Sequence, residues 1–283
     1  MKVIVNLLKF ILIIILTICM ISLGIIYIMF STALNQNYVV QKLKDTDFYS
    51  GIYKLVESNF ENYIYQSGLD EEVLKGICTQ EKVEKDINIM ISNIYEGTNK
   101  KIDTKEIADN LNTNIDKLGI KTNQNKESIN EFVEHICNEY TDTLIHSQYE
   151  QKINDIYVKI MGKLNEIYDI AYKVLIIDFI VIIIANGKKV YKDIQYLGVA
   201  MLATTLFELI SCQIVTYKVN IQGIKIFNDV FSNTVVTIIQ DVLYKINSMA
   251  FGTLVFAIIF NAIYVAIITK KKTKENLNTG KEL

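Results

Sequence analysis

Residues 10–30 (FILIIILTICMISLGIIYIMF) run apolar and uncharged for long enough to cross the roughly 30 Å hydrocarbon core of a bilayer as one helix. A cleaved signal peptide has an apolar core of only about 7–15 residues. Ser31, Thr32 and Ala33 match a cleavage site loosely, so the segment is expected to remain as an anchor. Three more apolar stretches follow, at about 168–186 (ending VLIIDFIVIIIAN), 196–215 and 248–269. The spacer GKKVYKDIQ between the second and third is so short that it predicts an antiparallel hairpin.

Between the first two stretches the pattern changes to apolar residues at three- and four-residue steps, which predicts amphipathic helices. Their expected ranges are 36–66, 70–77, 80–96, 104–118, and from 126 straight into the second span. Start signals are Asp70 ahead of Glu71 and Glu72, Thr79 as an N-cap, and Asp103 with Glu106 as a capping box. Gly68, Gly97 and Gly119 stand where stops belong. In the last helix Ile129, Phe132, Val133, Ile136, Tyr140 and Leu144 form one stripe, expected to be buried. A second stripe runs from Phe227 through Phe231, Val235, Ile238 and Val242 to Ile246. Too polar to span, this segment is expected to pack on the helical domain, with the membrane interface as the alternative.

Charge sets the orientation. Lys2 and Lys9 precede the first span, Lys188, Lys189 and Lys192 fill the hairpin, and Lys270, Lys271, Lys272 and Lys274 follow the fourth. The positive-inside rule puts all three segments in the cytoplasm. The expected organisation is therefore a cytoplasmic N-terminus 1–9, span 10–30, an extracytoplasmic helical domain 31–167 and span 168–186. A cytoplasmic turn 187–195, span 196–215, an outer loop 216–247, span 248–269 and a Lys-rich cytoplasmic tail 270–283 complete it. Tyr168 and Tyr172 would mark the outer interface of the second span, with Lys173 snorkelling outward. The fold class this implies is an all-α integral membrane protein with four transmembrane helices.

A positive mean hydropathy and 51% hydrophobic residues agree with membrane spans. The chain has 29 Lys, no Arg, no Pro and no Trp, the mark of an AT-rich genome. Residues 31–170 hold 24 Asp and Glu against 15 Lys, a net of −9, and the remainder carries +7. An acidic body with no concentrated basic footprint argues against nucleic-acid binding.

Three polar residues lie inside the predicted spans: Asp178 in the second, Glu208 in the third and Asn261 in the fourth. At 1.5 Å of rise per residue all three fall near mid-bilayer, roughly 12–18 Å from the cytoplasmic ends. Ionisable groups at that depth mark an ion or proton path by default. The bland alternative is that protonated carboxyls hydrogen-bond to Asn261, Thr204 or Thr205 and lock the bundle. Cys78 and Cys137 lie in the outer domain and form either a disulfide or two buried thiols, whereas Cys19 and Cys212 lie in spans. His135 and His146 are about 16 Å apart along one helix, too far to share a metal, and His135 with Glu139 is a commonplace pair on a solvated face. No phosphate loop and no GxSxG elbow is present. No enzymatic activity, metal or cofactor is expected.

With stretches such as NYVVQKLKD, YQSGLDEEVLKGI and KIDTKEIADNL, this layout resembles uncharacterised four-span membrane proteins of low-GC Gram-positive bacteria with a helical outer domain after the first span. The resemblance implies an architecture and a bacterial cell type, and no site residues. The expected function is binding or sensing of a ligand or partner protein by the outer domain. The short hairpin and tail offer no room for a cytoplasmic output domain, so a signal is expected to pass through a membrane or surface protein partner. Beyond the bilayer, a homo-oligomer is the other partner considered. The alternative is a small ion- or proton-linked transporter, or a transport accessory, using Asp178 and Glu208.

Overall fold

The computed structural model describes residues 2–67, 70–119, 126–144 and 147–279. Among them are nine α-helices, two short 3-10 turns and no strand. The helices are α1 (Lys2–Ser31), α2 (Gln36–Asp45), α3 (Phe48–Ser67), α4 (Gln80–Glu96), α5 (Lys105–Lys117), α6 (Lys126–Leu144), α7 (Ser147–Asn186), α8 (Val190–Lys218) and α9 (Asp229–Thr279). They divide into two bodies. One comprises residues 33–161 and 225–238, and the other 1–32, 162–224 and 239–283.

The first body is built from amphipathic helices. Asn35 and Thr79 cap α2 and α4 by accepting the backbone N–H groups of Tyr38 and Lys82, at 3.1 and 3.2 Å. Gly97 and Gly119 end α4 and α5 in the left-handed conformation, at φ 67° and 66°. Gly68 lies outside the described residues. The expected capping box is not formed by its first residue as N-cap: α5 begins one residue later, with Thr104 at the cap, and the Asp103 side chain takes the N–H of Lys105 at 2.9 Å.

The core interleaves Ile52, Val56 and Phe60 of α3, Val83, Ile87 and Met90 of α4, Ile107, Leu111 and Ile115 of α5, and Ile136, Tyr140 and Leu144 of α6. The α6 stripe is thus buried as expected, with Ile129, Phe132 and Val133 covering its rim. The start of α9 packs here too. Phe231 meets Phe48 edge to face at 4.8 Å between ring centres, and Thr234 and Thr46 share a hydroxyl hydrogen bond of 2.9 Å.

Three boundaries differ from the sequence pattern. The single helix expected over 36–66 is broken at Thr46 and Asp47, where Asp47 turns left-handed at φ 52° and the Thr46 hydroxyl bonds back to the Lys42 carbonyl at 2.8 Å. Asp tolerates that conformation at little cost. The helix expected over 70–77 is a single 3-10 turn, Glu71–Leu74, whereas the junction of the helix expected from 126 into the second span, at 145–146 between α6 and α7, lies outside the described residues. The amphipathic loop and the fourth span, expected as separate segments, are one helix, α9, about 76 Å long at 1.5 Å per residue. Without a proline from Asp229 to Thr279, nothing ends it earlier.

The second body holds the apolar helices. Among the described residues three helices are long and apolar enough to cross a membrane: Asn6–Ser31, Val190–Lys218 and Asp229–Lys274, of which residues 229–238 belong to the first body. The last 18 residues of α7 differ from these in carrying Asp169, Lys173 and Asp178. Even so, Leu175 and Ile182 of α7 pack with Leu12 and Leu16 of α1 and Ala200 of α8. The α7–α8 hairpin turns at Gly187, φ 58°, and is tighter than expected because α8 already starts at Val190.

Candidate functional site

Helix α8 is the axis on which the polar residues of the second body are arranged. Tyr191, Gly198, Thr205 and Cys212 recur every seven residues, the step that keeps one helix face against a neighbour. Each meets α9. The Tyr191 and Tyr264 rings stack at 6.3 Å, and a Cβ on Gly198 would sit 2.6 Å from Asn261 Nδ2. The Thr205 and Thr253 hydroxyls are 2.8 Å apart, and the Cys212 thiol points at the Leu243 carbonyl at 3.9 Å. As α8 runs forward its partners run backward, so the pair is antiparallel. Small residues let the backbones approach and the hydroxyls bond across, the usual cement between apolar helices.

Thr204 and Glu208 sit beside this seam, four residues apart on one face of α8. Glu208 is 2% exposed, and neither of its carboxyl oxygens has a hydrogen-bond partner. The Thr204 hydroxyl is buried and equally unpartnered. Gly24 of α1 and Met249 of α9 close around them: a Cβ on Gly24 would lie 2.6 Å from Met249 Cε and 3.5 Å from Glu208 Oε1. Three helices therefore converge on this carboxyl.

Asp178 of α7 repeats the situation. It is 4% exposed, and both carboxyl oxygens lack a partner. Among the described residues, these two carboxyls and Thr204 are the buried side chains whose polar atoms bond to nothing.

The third expected residue, Asn261, is committed elsewhere: its amide donates to the Ala257 carbonyl at 2.7 Å. Thr205 is taken by Thr253. The hydrogen bonds by which Asn261, Thr204 or Thr205 would have locked the carboxyls into the bundle are therefore not made. The carboxyls are brought into the bundle, but not to these partners.

A polar cluster that the sequence analysis did not single out ties the hairpin end. Lys9 of α1 donates to Asn186 of α7 at 3.2 Å, and Asn186 donates to Asp193 of α8 at 2.7 Å, with Asn186 and Asp193 buried. The seven-residue separation of Asn186 and Asp193 across GKK was its one visible signal.

All four cysteines are free thiols. Cys78 points at the Thr79 carbonyl at 3.7 Å and Cys137 at that of Thr104 at 3.9 Å. The His135 ring stacks on Tyr63 at 6.4 Å, and His146 lies outside the described residues. No group of three or more potential metal ligands occurs among the described residues. The chain matches no family model, no curated protein and no solved structure.

Proposed function

We propose that this chain is a four-span bacterial membrane protein, with both termini cytoplasmic, in which Asp178 and Glu208 take up a proton or a small cation inside the bilayer. The observation that carries this is the pair of buried carboxyls whose four oxygens have no hydrogen-bond partner. An ionised side chain at mid-bilayer costs at least a few kcal/mol, and such residues persist where they serve a path or a switch. The lysine nearest Asp178 in the sequence, Lys173, lies 3.7 Å from Asp169 instead. A proton, or a cation held between the Glu208 carboxyl and the Thr204 hydroxyl, removes the cost. α7 supplies the second span in this reading, and the parallel Tyr168 and Tyr172 rings, 6.2 Å apart, suit its outer interface.

The test is uptake driven by a pH or cation gradient in vesicles holding the purified protein. Wild type is expected to conduct, and Asp178→Asn and Glu208→Gln to abolish conduction at unchanged protein level. Conduction that is equal in the variants, or absent in wild type, discards the reading.

A second reading concerns the first body, which we take as an extracytoplasmic binding module. It has its own core, and a polar cleft opens between the loop after α4 and the facing residues of α6 and α7. Crosslinking of the tagged protein in native membranes, followed by mass spectrometry, is expected to recover a membrane or surface partner linked through α2–α6. Links within this chain alone would remove a protein partner from the reading.

A further inference from the structure

The cleft in the first body has a volume of about 600 Å³, within the range of small-ligand sites. One wall is the loop that follows α4, Gly97–Ile102, and the other is Thr141 of α6 with Gln151 and Asn154 of α7. Met90 of α4 also lines it.

The loop wall is held in shape by one buried amide. Asn93, 5% exposed, accepts the Thr98 hydroxyl at 2.7 Å and the Lys100 N–H at 3.0 Å, and donates to the Lys100 carbonyl at 2.9 Å. Opposite, Asn154 donates to the carbonyls of Asn93 and Ile94, both at 3.0 Å. The acceptor end of α4 would repel an anion, but two of its carbonyls are thereby covered. These bonds shape the loop wall before any ligand arrives, which cuts the ordering cost of binding.

Charge then narrows the ligand. Residues 31–170 carry a net of −9, yet among the described residues the cleft lining holds Lys100 and Lys101 and no Asp or Glu. The same lining includes Asn99, Thr98, Thr141 and Gln151, whose amides and hydroxyls both donate and accept. Among the described residues no aromatic ring lines the cleft for a base or an indole to stack on.

We infer that the cleft binds an anionic, hydroxyl-rich small molecule, a sugar or polyol bearing a phosphate or carboxylate. The lysines take the anion, and the amides and hydroxyls take the ligand's hydroxyl groups. This rests on the binding-module reading of the first body.

The experiment is calorimetric titration of the full chain in lipid nanodiscs with glucose 6-phosphate, glucuronate, inorganic phosphate and uncharged glucose. Saturable binding of glucose 6-phosphate or glucuronate, tighter than glucose and phosphate, is expected. The exposed substitutions Lys100→Gln and Lys101→Gln should each weaken it about tenfold, the worth of one charge-assisted hydrogen bond. Inorganic phosphate binding as well as the sugar phosphate would reduce the site to a phosphate site and overturn the hydroxyl requirement. Glucose binding equally well, with no effect of the lysine variants, overturns the anionic class but keeps a binding module. No heat from any probe overturns the proposal, and a protein partner crosslinked to the same body would then show that the binding-module reading survives without it.

Discussion

The Tyr140 phenol donates to the Asp86 carboxylate at 2.7 Å, on the same oxygen that Lys82 Nζ approaches to 2.6 Å. Lys82 also donates to the Asp103 carbonyl at 2.7 Å and lies over the Tyr140 ring at 5.8 Å. All three side chains are buried, so α4, α6 and the turn into α5 are pinned to one charged centre inside an apolar core. Burial first, and then the hydrogen bond to Asp86, push the Tyr140 phenol well above its usual range.

Removing one member of a buried ion pair strands the other, at about 3–5 kcal/mol, whereas losing a hydrogen bond to a charge costs about 1.5–3 kcal/mol. Asp86→Ala should therefore destabilise the first body more than Tyr140→Phe does. The double change Lys82→Met with Asp86→Leu should recover most of the loss. Chemical unfolding followed by near-ultraviolet circular dichroism measures the order. Equal losses for Asp86→Ala and Tyr140→Phe would show that the charge is not what holds the centre.

Much of this was legible in the chain. Long apolar runs announce themselves by composition, and the α6 stripe by its period, because both follow from one face meeting water or not. The spacing of Lys82 and Asp86 is visible too, but it is identical to that of a solvated surface pair. Only the packing of Tyr140 over them shows that they are buried. The break at Asp47 left no glycine or proline to read, since a left-handed Asp is chosen by tertiary contacts such as Thr46 with Thr234. For Asp178 and Glu208 the sequence supplied the residues and the helices that carry them. Whether partners met them depended on helix rotation, and Asn261 and Thr205 face other groups.

Three tyrosines of the first body should make its stability fall at alkaline pH. Tyr49 is pushed up to about 12 by burial and the Glu84 charge, partly offset by Asn88. Tyr53 reaches about 12 through its hydrogen bond to Glu57, then burial, and Tyr95 about 12 through burial beside Tyr157. Each folded value lies above the ordinary 10, so the unfolded chain loses its protons first. The contribution is complete below pH 10 and is lost as pH climbs towards 12. Unfolding midpoints measured from pH 9 to 12 should drop over that window, and less steeply in Tyr95→Phe. A flat profile would show that these phenols titrate freely.

Thiol chemistry should follow burial. Cys78 is pushed up to about 12 by burial, with the Lys82 charge opposing in part, and burial also raises Cys137, which is half-buried. The thiolate is the reactive form, so a maleimide pulse at pH 8 should leave Cys78 unlabelled and label Cys137 slowly. Both should react fast after unfolding without reductant. Failure of the pair to react in the unfolded chain until reductant is added would reveal a disulfide between them, contrary to the free thiols of the structure.

The contact of α3 with the start of α9 poses two opposed effects at Gly51. Replacing this glycine, in the first turn of α3, with alanine gains at most about 1 kcal/mol of helix propensity. A Cβ there would sit 2.8 and 2.9 Å from the two methyl groups of Val230, closer than real contacts allow. Valine is stiff at its first torsion, so the methyls cannot swing aside as the end of a longer side chain would. Overpacking of this kind costs about 1–3 kcal/mol, which outweighs the propensity gain at all but the low end. Gly51→Ala should therefore destabilise the first body. In the Val230→Ala background the same change should stabilise it, because the obstruction is gone while the propensity gain remains. A double-mutant cycle reads this change of sign directly. If Gly51→Ala has the same effect in both backgrounds, the two helices do not meet at Val230.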